Sequence, residues 1–161
     1  MNRTASAFLL VTAFTGLLAA LSFALQIKGY GFGSLGVARL DALASSATFV
    51  PLAALYALAG ALITILPLRA AGLVHANGAT PVYSTALVLL ATIVGLQAAR
   101  FAFGDRGALW VLADWQFVFA GAIVAAHLCL DTLRRNALLR TLAFIGFCVA
   151  MLACLYWTFR L

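Results

Sequence analysis

Within the stretch from Ala108 to Leu133, an otherwise apolar run carries Asp114, Gln116, His127 and Asp131 and ends against Arg134 and Arg135. An ionisable group inside a membrane is expensive enough to count by default as a candidate for function. His127 and Asp131 stand one helical turn apart, where an imidazole that titrates near neutrality and an orienting carboxylate could relay a proton, bind an ion or contact a quinone. The bland alternative is an interfacial ion pair of Asp131 with Arg134 and Arg135, three and four residues on, with His127 hydrogen-bonded to a neighbouring helix. It is the expected one. Asp114 lies between Trp110 and Trp115, indoles that suit the headgroup boundary. A structural salt bridge to Arg100 or Arg106 is favoured there over an ion gate.

As one helix, 108–133 would reach about 39 Å, longer than the ~30 Å hydrocarbon core of a bilayer. At 100° per residue Gln116, His127, Asp131 and Arg134 fall within about 60° of one another and Asp114 nearly opposite, so one face is polar.

The rest of the chain says what kind of object positions these groups. Of 161 residues 66% are hydrophobic and 9% charged, and the mean hydropathy is +1.12, outside the range of soluble domains. The formal charge of +6 does not imply nucleic acid. Nine of the ten basic residues are Arg, scattered at the ends of apolar runs, where cationic side chains reach the headgroups. The expected fold is all-α: a single integral domain over 1–161, a transmembrane bundle with spans at about 5–27, 48–68, 81–99, 108–133 and 137–157. Four spans would be possible, but five are expected, with 108–133 the longest.

The first run is expected to remain as a spanning helix, since about 23 apolar residues exceed the ~7–15 of a signal peptide's apolar region. Its polar residues Thr12, Thr15, Ser22 and Gln26 share one side, which should face protein, as should Gln116 and His127. Residues 29–47 read as a connection, a plain loop or a short interfacial helix. His75-Ala76-Asn77-Gly78 reads as a turn, which leaves His75 in a loop. Small-residue ridges recur, among them Thr12/Gly16/Ala20, Ala53/Ala57/Ala61, Ala91/Gly95/Ala99, Gly121/Ala125/Cys129 and Gly146/Ala150/Cys154. In so alanine-rich a chain many arise by chance.

No complete catalytic set, nucleotide loop or metal motif is present. Cys129, Cys148 and Cys154 lie in apolar runs and read as small hydrophobes. With His127 the one imidazole expected at membrane depth, a haem held by this chain alone is not expected. Neither cofactor nor metal is expected. The expected function is a non-catalytic subunit or interaction partner of a larger inner-membrane complex, energy-transducing or transport-linked. A small ion- or solute-coupled transporter or channel acting as an oligomer comes second, and a membrane enzyme on lipid or quinone third. The expected partners are the bilayer and other membrane subunits or further copies of the chain, and the expected location is the inner (plasma) membrane. Basic residues tie between the two sides. The Arg134/Arg135 cluster, in a short loop, makes the amino terminus inside.

Overall fold

In the computed structural model, which describes residues 3–43 and 45–160, the regular structure is helical throughout. The helices are α1 (Arg3–Ile27), α2 (Gly31–Leu43), α3 (Ser46–Ile65), α4 (Leu68–Val74), α5 (Thr80–Ala102), α6 (Trp115–Ala125), α7 (Leu130–Arg135) and α8 (Ala137–Arg160). Five helical stretches among the described residues are long and apolar enough to cross a membrane: Arg3–Ile27, Gly31–Ile65, Leu68–Ala102, Trp115–Arg135 and Ala137–Arg160. A helix satisfies all its own backbone hydrogen bonds, which is why a chain this apolar is built from little else.

The chain forms two compact units, one of residues 1–45 and 87–114, the other of residues 46–86 and 115–161. In the first, α1 and α2 make a helical hairpin. The expected connection over 29–47 is thus mostly helix. Gly29 turns the chain at φ 82, and the Tyr30 amide donates to the Leu25 carbonyl at 3.0 Å, a glycine-terminated helix end that lets α2 fold back. Gly33 then lies on the α1 backbone, where an added Cβ would come within 2.6 Å of the Ser22 carbonyl oxygen. Only glycine permits that approach. Across α1, Thr15 is buried and Gly16 meets Gly95 of α5, so part of the polar face of α1 does meet protein. Phe23 and Phe103 pack with ring centroids 5.5 Å apart.

Arg100 of α5 pairs with Asp41 of α2. The side chains are 28% and 39% exposed, so the pair is not sealed in the protein interior. We expect a double-mutant cycle of Arg100→Gln and Asp41→Asn, read by unfolding in mild detergent, to give a coupling of about 1 kcal/mol.

In the second unit α3 is central, with Phe49, Val50, Tyr56, Ile63 and most of its alanines buried. It packs against α8, α6 and α4. Thr64 and Ile65 at its end line a cleft with Arg140, Thr141 and Phe144 near the start of α8, while Gly60 meets the Phe147 ring, so α3 and α8 run antiparallel.

Two expectations are corrected. The 108–133 run is not one helix, and it is not the longest. A 3-10 segment at Ala108–Ala113 ends at Asp114, α6 follows, and a second 3-10 segment, Ala126–Cys129, separates α6 from α7. The tighter turns of Ala126–Cys129 advance the side chains by about 120° instead of 100° per residue, so Asp131 on α7 is turned further round from His127 than a continuous α-helix would place it. The second correction concerns His75. It lies in a π-helical turn, His75–Ala79, that joins α4 to α5, with the Thr80 amide donating to the His75 carbonyl. Pro81 gives the physical reason. Its ring clashes with the carbonyl four residues back and it has no N–H to give, and widening the preceding turn relieves the misfit without ending the helix. Asn77-Gly78 therefore does not end the helical run, and His75 sits within a stretch of spanning length.

Candidate functional site

The two helix distortions of the second unit meet through their imidazoles. His127, on the 3-10 segment, stacks on His75, on the π-helical turn, with ring centroids 5.1 Å apart and an interplanar angle of 8°. Tyr83, in the first turn of α5, also stacks on His127, at 4.3 Å and 13°. Tyr56, from the middle of α3, points an edge at the same ring from 5.9 Å. Phe147 of α8 closes the group behind Tyr56 at 6.2 Å. Local departures from α geometry inside helices gather at functional sites, and here two such departures, on different helices, put the only two histidines of the chain face to face.

Two polar atoms in this group are buried without a hydrogen-bond partner: Nδ1 of His127 and the hydroxyl of Tyr56. Tyr56 itself is fully buried. Unmet polar atoms in an apolar setting cost free energy and are rare enough to call for an explanation. Tyr83 and Cys129 share the electrostatic neighbourhood of the Tyr56 hydroxyl, and Asp131 and His75 that of His127. The arrangement gathers two imidazoles and two phenols, side chains able to take up or release a proton, by ring contacts. Parallel imidazoles present their faces to one another, so their in-plane lone pairs run side by side and do not converge on one ion. Among the described residues no three His, Cys, Asp or Glu side chains are grouped to hold a metal.

The residues singled out from the sequence are distributed unevenly around this centre. His127 is at its heart, half-buried. Asp131 is exposed on α7, and no ion pair to Arg134 or Arg135 forms among the described residues, where the ion pair is Asp41–Arg100. Gln116 is half-buried at the far end of α6, roughly 16 Å of helix from His127. Asp114 and Arg106 are exposed, and Asp114 sits at the break before α6. Arg134 is half-buried and Arg135 exposed, both at the end of α7.

Three members, His75, Tyr83 and Tyr56, escaped sequence reasoning. For His75 the available signal was Pro81, just beyond the turn it relieves, whereas Tyr56 and Tyr83 join His127 through tertiary contacts that no local pattern marks.

Because Asp131 is exposed and makes no ion pair, Asp131→Asn is expected to change stability by less than about 1 kcal/mol. Assembly should persist, as size-exclusion in mild detergent would report. An unfolded or unassembled variant would contradict this placement.

Beside the cluster an apolar groove of about 550 Å³ runs between α6 and α8, with Phe119, Ala122, Ala126, Gly146, Phe147 and Ala150 among its walls. Phe147 is shared with the cluster, and Ala126 adjoins His127. No polar side chain lines it, so it can take only hydrocarbon.

No family model, curated protein or solved structure matches this chain.

Proposed function

We propose that the protein is a multi-pass component of the inner (plasma) membrane, a non-catalytic subunit or partner of a larger energy-transducing or transport-linked complex, in which the Tyr56/His75/Tyr83/His127 centre handles protons. The observation that carries the reading is the pair of buried, unpartnered atoms, Tyr56 Oη and His127 Nδ1, in a spanning stretch. Groups left without partners at membrane depth are costly, and such a cost is retained where the groups work.

The basic end of the second unit supports an orientation. Arg69 opens α4 just past the end of α3, and Arg134, Arg135 and Arg140 flank the junction of α7 with α8, whereas Arg160 closes α8 at its other end. Positive residues favour the cytoplasmic side. Reporter fusions at the two termini test the five-span topology, with the amino terminus expected inside and the carboxyl terminus outside.

The central test uses Tyr56→Phe. The substitution removes a buried hydroxyl that has no partner, so stability is expected to hold or rise. Mild-detergent purification should recover the same partners as with the unaltered protein, while proton-linked activity of the complex falls. Unchanged activity would remove the centre from the mechanism.

A second reading, a small coupled transporter working as an oligomer, is favoured by Asp131: an exposed carboxylate electrostatically coupled to His127 would serve as a port to that centre. The purified chain alone, in vesicles with a trapped pH-sensitive dye, separates the two. Collapse of an imposed pH gradient supports the transporter, and retention of the gradient supports the subunit.

A further inference from the structure

The cleft between the end of α3 and the start of α8 has a chemistry unlike that of the proton-handling centre. It encloses about 300 Å³ and is lined by Thr64, Ile65, Arg140, Thr141 and Phe144. The Thr64 hydroxyl donates to the Ala61 carbonyl at 2.6 Å, and the Thr141 hydroxyl to the Ala137 carbonyl at 3.1 Å. Both threonines are thus turned to their own helices. The donor left to the cleft is the exposed guanidinium of Arg140, which makes no ion pair among the described residues. Arg140 also stands in the first turn of α8, a helix of 24 residues, where the helix dipole favours an anion.

The surroundings sharpen the choice of ligand. Arg69, Arg134 and Arg135 flank the same end, against the one carboxylate of Asp131. None of these arginines is ion-paired among the described residues. Beside the guanidinium the cleft is lined by Ile65 of α3 and by Phe144, one turn beyond Arg140 on α8, and both helices are of spanning length. A cation beside hydrocarbon is the profile of the boundary where phosphate heads meet acyl chains.

We propose that this cleft seats the phosphate of an anionic phospholipid, held by Arg140 at the start of α8, with the acyl chains against Ile65 and Phe144. The phosphate could also be a free anion, and the apolar wall is what selects the lipid. Arg134, Arg135 and Arg69 add a general attraction without forming the seat.

The test is native mass spectrometry of the protein released from nanodiscs of phosphatidylcholine alone or mixed with phosphatidylglycerol. One retained phosphatidylglycerol per chain is expected, and phosphatidylcholine is expected to be lost. Arg140→Gln should lower that retention about five-fold, the weight of one basic residue at an anionic surface. Arg140→Lys should restore part of it, and Arg160→Gln, at the other end of the unit, should change nothing. Thermal unfolding of each variant confirms that it is folded. Equal losses from Arg134→Gln, Arg135→Gln and Arg140→Gln would mean a diffuse basic rim and overturn the seat. Millimolar inorganic phosphate should not displace the lipid, and if it did so while neutral lipid bound equally well, the site would belong to a free anion.

Discussion

Gly95→Val is expected to take the first unit apart. A Cβ at residue 95 would stand 2.5 Å from the Thr12 carbonyl oxygen and 2.9 Å from the Gly16 amide nitrogen. Both are backbone atoms, which cannot swing aside as a side chain would, so α1 and α5 must separate. Overpacking typically costs about 1–3 kcal/mol, and a backbone collision belongs at or above the top of that range. Unfolding in mild detergent would register the loss, and proteolysis of α1 would report its release. Gly121→Ala and Gly146→Ala provide the contrast, since nothing lies within 4 Å of the added carbon at either position. There the better helix propensity of alanine should stabilise by up to about 1 kcal/mol. A Gly95→Val protein as stable as the unaltered one would show that this crossing does not hold the unit together.

His127→Ala should carry the largest functional effect. It deletes the ring on which both His75 and Tyr83 stack. Each aromatic pair contributes about 0.5–1.5 kcal/mol beyond its buried area, so a loss of about 1–3 kcal/mol is expected from stacking alone. His127→Phe separates packing from chemistry. A phenyl ring can keep both stacks and carries no proton, so this variant should fold and assemble while proton-linked activity drops on the order of 10²-fold, the usual weight of a positioned acid-base group. His75→Phe is expected to follow it more weakly, because His75 is not the residue whose buried nitrogen lacks a partner. Full activity in His127→Phe, alongside damage in His127→Ala, would reduce the cluster to a packing device.

How much of this could be read from the chain follows from the range of the interactions involved. Helical class and the five stretches of spanning length are set by composition and by runs of apolar residues, and both are local properties that solvent acts on directly. Their ends differ: the stretches expected at 48–68 and 81–99 extend over Gly31–Ile65 and Leu68–Ala102, and the one expected at 108–133 begins at Trp115. His127 was legible because a lone imidazole in an apolar run is conspicuous whatever surrounds it.

The rest was decided by tertiary structure. Five small-residue ridges looked alike in sequence, yet Gly16 and Gly95 meet backbone to backbone while Gly121 and Gly146 face open space. Nothing in a ridge records whether another helix lies against it. Arg100 found Asp41, 59 positions away, because α2 folds back on α1. That fold depends on a glycine fitting against a backbone, not on any charge pattern. His75 was read as a loop residue because Asn-Gly turns chains in water, where exposed amides find solvent. In a stretch of spanning length those amides must find partners within the chain, so the helix widens ahead of Pro81 and continues. The local sequence determined which residues could do chemistry. Only the packing of α3, α5 and the distorted α6–α7 run decided which of them stand together.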